Sequence, residues 1–141
     1  MAIKKILTAP HDLVRLQQLS MSVRDTETMD TAALIQDLID TCNKHKSLGL
    51  AAPQIGVFKR VFVVDLNHTG RNEMIFINPC IIRKERVRPM LEGCESFPGA
   101  AKRADRADRI TVQYTDKSGK KHTREFAGML AQVIQHETDH L

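Results

Sequence analysis

Tryptophan is absent from this sequence, and a single tyrosine accompanies five phenylalanines. A surface that holds single-stranded nucleic acid by stacking bases on aromatic rings is therefore poorly supplied. The three cysteines, Cys42, Cys80 and Cys94, are odd in number and form no C-x-x-C pair. That argues against a disulfide framework and leaves room for a thiolate ligand or nucleophile. No apolar run approaches the ~20 residues that span a bilayer, and the opening residues lack a stretch long enough for a secretion signal. The cytosol is the expected compartment. No internal repeat or low-complexity segment is present. What remains is one domain, residues 1–141, with 42% hydrophobic and 27% charged residues, values that exclude general disorder. The net charge of +4 permits attraction to anions without defining a nucleic-acid binder.

The chain opens with a loop carrying a short helical piece after Pro10. A helix begins at Asp25 or Thr26, with Glu27 and Asp30 in its first turns. Ile35, Leu38, Ile39 and Cys42 then recur at helical spacing, and the helix ends near Lys44–Lys46, where cations suit its negative pole. Strands are predicted at Arg60–Asp65 and Met74–Ile77, the second stopped by Asn78 and Pro79. A third runs from Cys80 to Met90 with Pro89 limiting it. Ile110–Tyr114 and His122–Phe126 flank a hairpin turn at Asp116–Gly119. Met129–Leu141 is helical, with Leu130, Val133, Ile134, Glu137 and Leu141 near one face. The order predicts an α+β fold, with antiparallel or mixed sheets packed around a C-terminal helix.

That last helix carries His136-Glu137-Thr138-Asp139-His140. Two imidazoles four residues apart project from one helical face and can grip one divalent ion, with Glu137 beside the open position. A chain of this composition contains such a match by chance about 0.01 times. A catalytic metal needs a third protein ligand, and one residue follows His140, so the ligand must precede the helix. The candidates are Cys42, Cys80, Cys94, His11, His45, His68 and His122. Cys42 lies on an apolar helical face and Cys80 follows a strand, positions of small core residues. Cys94 lies in a glycine- and proline-containing turn among charged neighbours, where a thiolate could complete a Cys-His-His site. Further upstream, the small residues of Ser47–Gly56 allow close approach to a ligand, and Gln54 carries an amide able to donate to an oxyanion.

These three segments, Ser47–Gln54, Glu92–Ser96 and Gln135–His140, resemble the signature motifs of peptide deformylases, G-x-G-L-A-A-x-Q, E-G-C-x-S and Q-H-E-x-D-H. They fall in the family's order, and Ile6–Pro10 and Phe76–Pro79 are similar to family segments too. The resemblance implies a hydrolase that removes the N-formyl group from the initiator methionine of new proteins. It implies Cys94, His136 and His140 as metal ligands and Glu137 as general acid and base. Gln54 and the backbone N–H of Glu95 would stabilise the oxyanion. The backbone of Gly49 would align the substrate as an added strand beside Leu48. Helical spacing, independently, puts Met129, Val133 and His136 on successive turns of one face, where they could line a methionine pocket with Leu48 opposite and Gln132 at its rim. The resemblance implies Fe²⁺ as the physiological metal, with Zn²⁺, Ni²⁺ or Co²⁺ also accepted, and Glu92 paired with Arg106 behind the metal. The implied partner is the N-formylmethionyl nascent peptide, met by a cytoplasmic monomer.

Three departures stand out. Ser47 replaces the first glycine of the first motif. Glu95 replaces a leucine common in bacterial members, as in the mitochondrial branch. The chain stops at Leu141, where bacterial members usually continue; this resembles the bacteriophage-encoded members, whose compartment is the host cytoplasm, and leaves ribosome association open. The competing readings are a catalytically impaired metal-binding relative, a metalloprotease using His136, Glu137 and His140, and a basic RNA-associated protein. Arg83, Lys84, Arg86, Arg88, Lys102, Arg103 and Arg109 are expected to form a solvated face. His11, His45, His68 and His122 are expected at the surface.

Overall fold

Val61–Val64 is buried along its whole length, although a strand sends alternate side chains to opposite faces. The reason is a sheet covered on both sides. In this computed structural model, which describes residues 2–8, 19–24, 29–66, 73–93, 96 and 102–141, Phe62 and Val64 enter one core with Phe76, Ile110, Val112, Tyr114, Phe126 and the C-terminal helix. Val61 and Val63 enter a second core with Ile75, Ile77 and Ile35, Leu38 and Cys42 of the first helix. A continuous apolar run is the signature of such a strand.

The elements are α1 (Met29–Lys44), β1 (Gly49–Ala51), a 3₁₀ turn (Ala52–Ile55), β2 (Val61–Val64), β3 (Met74–Glu92), β4 (Lys102–Thr115), β5 (Lys121–Ala127) and α2 (Gly128–Asp139). The strands form one antiparallel sheet in the order β1-β2-β3-β4-β5. The architecture is the expected α+β one, with α2 laid against β4, β1 and β5. Among the described residues, no helix is long and apolar enough to cross a membrane.

The two strands expected on either side of Asn78 and Pro79 are one strand of 19 residues. The pair makes a bulge, with register shifts between Ile77 and Cys80 and again between Ile81 and Arg83. Asn78 takes a left-handed backbone at φ 51°, which asparagine tolerates better than most residues. Its amide bonds both backbone groups of Val23 at 2.8 Å. A bulge leaves a residue outside the ladder, so the missing N–H of Pro79 breaks nothing. Pro89 likewise lies inside the strand, opposite Asp105.

β4 extends well beyond the expected Ile110–Tyr114, its polar half carried by pairing with β3. The β4–β5 hairpin forms as predicted. Asp116 Oδ1 accepts from the N–H groups of Ser118 and Lys120 at 2.9 and 3.0 Å, and Gly119 takes φ 88°. His122 is half-buried rather than exposed: it stacks on Tyr114 and bonds Asp116 Oδ2 at 2.7 Å. The start proposed for α1 at Asp25 or Thr26, and the helical piece after Pro10, lie outside the described residues. So do His11 and His68.

α1 ends where its cations predict. Ser47 N–H bonds the Cys42 carbonyl at 3.0 Å and Lys46 N–H bonds that of Asn43 at 3.2 Å, the paired bonds of a Schellman ending. The left-handed residue is Lys46, at φ 51°. Ser47 is not left-handed, so serine in place of glycine strains no backbone there. Its hydroxyl, however, is buried without a hydrogen-bond partner among the described residues. An orphaned hydroxyl costs stability. Ser47→Ala is therefore expected to raise the unfolding free energy by about 1 kcal/mol, read from the denaturant midpoint at unchanged slope.

Candidate active site

α2 begins directly after β5, at Gly128 with φ 64°, and its position over the sheet is set by Gln135. This side chain is buried. Its Oε1 accepts from Ala107 N–H at 2.8 Å, and its Nε2 donates to the Ala107 carbonyl at 2.9 Å and to that of Ala131 at 3.0 Å. The β4–β5 ladder runs only as far as Arg109↔Ala127. At the next outward-pointing position on β4, Ala107, the Gln135 carboxamide supplies the missing rung and satisfies two buried backbone groups.

One residue before Ala107, Arg106 makes the second attachment. Its buried guanidinium grips Glu92 with Nε (3.1 Å to Oε2) and Nη2 (to Oε1) and bonds Asp139 Oδ2 at 2.6 Å through Nη1. Glu92 Oε1 in turn meets His136 Nδ1 at 2.8 Å. Burial opposes ionisation of Glu92, but the bonds from Arg106 and His136 prevail and hold its pKa below the ordinary carboxylate value. An ionised Glu92 needs a donor at Nδ1, so the lone pair of His136 sits on Nε2.

That Nε2 faces His140 Nε2 across 3.4 Å. Two ligands held tetrahedrally at about 2.0–2.1 Å from one ion stand about 3.3–3.4 Å apart, so the spacing suits a shared metal. Burial, with the nearby His136 adding to it, pushes the His140 pKa down to about 4, and a neutral imidazole is the ligating form. His136, Glu137 and His140 offer ligand atoms within 4.8 Å of one another. Glu137 is buried, and its Oε1 has no partner among the described residues. Burial, reinforced by the charge of Glu92, raises its pKa to about 8.

β1 passes directly over this carboxylate. A Cβ on Gly49 would lie 2.9 Å from Glu137 Oε2 and 3.0 Å from Val133 Cγ1, so glycine is required for the close approach, here to a side chain rather than to a ligand. β1 is the edge of the sheet. Leu48 points its carbonyl to β2, accepting from Asp65 N–H at 2.8 Å. By alternation, Gly49 turns its N–H and C=O to the open side. Gln54 is buried next to it; its Oε1 accepts from Ala51 N–H at 2.9 Å and its Nε2 donates to Ser96 Oγ at 3.0 Å. These two bonds decide which end of the amide faces which way.

A cavity of about 610 Å³ opens between β1, the end of β3 and α2. Gly49, Gln54, His136 and Glu137 lie at its base and Leu48, Met129, Gln132 and Val133 along its walls. Of the expected site residues, Leu48, Gly49, Gln54, Met129, Val133, His136 and Glu137 line this cavity, with one difference in depth: Val133 is buried, whereas Met129 is 61% exposed and stands at the mouth. Cys94 and Glu95 lie outside the described residues. Cys42 is buried, as expected of a core residue, with its Sγ 3.2 Å from the Ser47 carbonyl. Cys80, expected in the core, is exposed on β3, because the bulge at Asn78 and Pro79 shifts the facing of the strand. Gln135 and Asp139 carried no role in the sequence beyond their place in the motif, and Ser96 only its place in the second.

A His-Glu-x-x-His helix braced against an antiparallel sheet, with two facing imidazoles and a buried carboxylate beneath an open strand edge, defines a metal-dependent amide hydrolase. The family model for polypeptide deformylase matches residues 3–141. Peptide deformylase 1 of Clostridium perfringens is 42% identical over 108 residues, 77% of this chain and 73% of its own. The Rhizobium meliloti peptide deformylase is 38% identical over 144 aligned positions, covering 100% of this chain and 81% of its own. The crystal structure of a peptide deformylase from Legionella pneumophila superposes with a TM-score of 0.91 at 37% identity, covering 99% of this chain and 80% of that one. The chain belongs to the polypeptide deformylase family, metal-dependent hydrolases that remove the N-formyl group from N-terminal methionine.

Proposed function

We propose that residues 1–141 act as one catalytic domain in which a single divalent ion, Fe²⁺ in the cell, is held by Cys94, His136 and His140. The observation that carries this reading is the facing of His136 and His140 Nε2 at 3.4 Å beside the orphaned Oε1 of Glu137. Such an ion supplies Lewis-acid activation of water at neutral pH. Glu137 takes the proton of the attacking water and passes it to the amine that leaves. The carbon of the formate released keeps the oxygen that the water supplied. The Gln54 amide, with the backbone N–H of Glu95, donates to the oxygen of the formyl group as charge builds there. Glu92 holds the His136 ring in its tautomer and orientation.

The peptide adds to the open edge of β1 at Gly49, and its methionine side chain enters the cavity between Leu48, Met129 and Val133, with Gln132 at the rim. The partner is an N-formylmethionyl nascent chain, the enzyme a cytoplasmic monomer. Formate release from formyl-Met-Ala-Ser by anaerobically prepared Fe²⁺ enzyme tests the reading; tight metal binding without formate would make the chain an impaired relative instead. Formyl-Met peptides are expected to outrun formyl-Gly peptides by more than tenfold in kcat/KM, from burial of the thioether side chain at ~1.5–3 kcal/mol. Equal values would remove the pocket from the mechanism.

A further inference from the structure

We propose that Lys46 selects the third residue of the substrate, favouring an acidic side chain two positions after the formylmethionine. The inference rests on the reading above, in which the peptide joins the edge of β1. Ala51 and Ala52 are fully buried, whereas Lys46 is exposed and Leu48 is 37% exposed. The peptide can therefore leave the site only toward the start of β1, which makes it antiparallel to that strand. Its first residue then lies opposite Gly49, its second opposite Leu48 and its third opposite Ser47.

Backbone pairing stops there. The Ser47 N–H is spent on the Cys42 carbonyl, and the Ser47 carbonyl already faces Cys42 Sγ. With the Ser47 N–H spent, a full two-bond rung cannot form with the third residue, so its side chain carries more of the discrimination at that point. Side chains alternate along a strand. The third residue returns to the cavity side, about 6–7 Å beyond the methionine at ~3.3 Å per residue.

Lys46 lines the cavity at that end. The Schellman ending and its left-handed backbone fix the lysine Cα there. Among the described residues no carboxylate pairs with its ammonium. Among the described residues, the two acidic side chains that line the same cavity are engaged or covered: Glu92 is bound to Arg106 and His136, and Glu137 lies buried beneath Gly49. The mouth thus presents a positive charge to the third side chain.

The test compares kcat/KM of the metal-loaded enzyme on amidated formyl-Met-Ala-Asp, formyl-Met-Ala-Lys and formyl-Met-Asp-Ala. At low salt the first is expected to exceed the second by about three- to fivefold, the scale of an exposed ion pair. The ratio should fall toward one at 0.5 M salt and reverse in Lys46→Glu. Lys46→Asn, which suits a left-handed position, should flatten it. Moving the aspartate to the second position should lose most of the gain. Equal rates for the aspartate and lysine peptides at low salt, or an unchanged ratio in Lys46→Glu, would overturn the proposal while leaving the deformylase reading intact. Absence of formate from every peptide would overturn both.

Discussion

Glu137→Gln is expected to lower formate release by about 10²–10⁴-fold or more while the metal stays bound. Glutamine keeps the shape but can neither accept the water's proton nor return it to the leaving amine. Metal content by elemental analysis, set beside kcat, separates this from loss of the ion. A variant with wild-type turnover would take Glu137 out of the chemistry. The same substitution has a second signature in the metal-free protein. Glu137 titrates near 8 in the fold, raised by burial and by the charge of Glu92, and near 4.3 in the unfolded chain. The folded state therefore holds a proton that the unfolded state has released, and stability falls as pH rises from about 4.3 toward about 8. The glutamine has no such slope. The metal-free variant should be more stable than the parent at pH 7, by about 3–4 kcal/mol at most, and the difference should vanish near pH 4. Parallel stability curves would show that the carboxyl sits in a far wetter site than its burial indicates.

Arg106→Ala should be the most damaging change away from the chemistry. The guanidinium is buried and joins Glu92 on β3 to Asp139 on α2. Without it Glu92 is left charged in a largely buried place, a loss of about 3–5 kcal/mol. The cost reaches the metal as well, because Glu92 orients His136. Removing such support behind a ligand typically weakens metal binding 10–100-fold. Arg106→Lys keeps the charge but loses the fork that meets both carboxylate oxygens, and should fall between the two. Chemical unfolding and metal retention after dialysis measure the two effects. A stable alanine variant that keeps its metal would reduce the pair to a surface contact.

Much of the site was legible in the chain because its signals are local. His136 and His140 share a face by helical spacing alone, the cations at Lys44–Lys46 marked the end of α1, and Asp116–Gly119 marked a hairpin. The misjudged proline shows the limit of such signals. Asn78 and Pro79 look like a stop, and local chemistry supports that; only the reciprocal bonds from Asn78 to Val23, far away in the chain, turn the stop into a bulge within β3. His122, expected at the surface, is partly covered because the hairpin register sets it directly opposite Tyr114, whose ring it stacks on.

By itself, the sequence determined the helix that presents two imidazoles, the order of the three motifs, and hence the family and its chemistry; each depends on residues a few positions apart, whose relation the backbone period sets. The tertiary structure alone decided the working state of those groups. It brought Gly49 within contact of Glu137, oriented the Gln54 amide between Ala51 and Ser96, and used Gln135 as a rung of the sheet. It also buried Glu137 deeply enough to raise its pKa to about 8. Burial and close approach depend on which distant segments the sheet lays side by side, and no spacing along the chain encodes that distance.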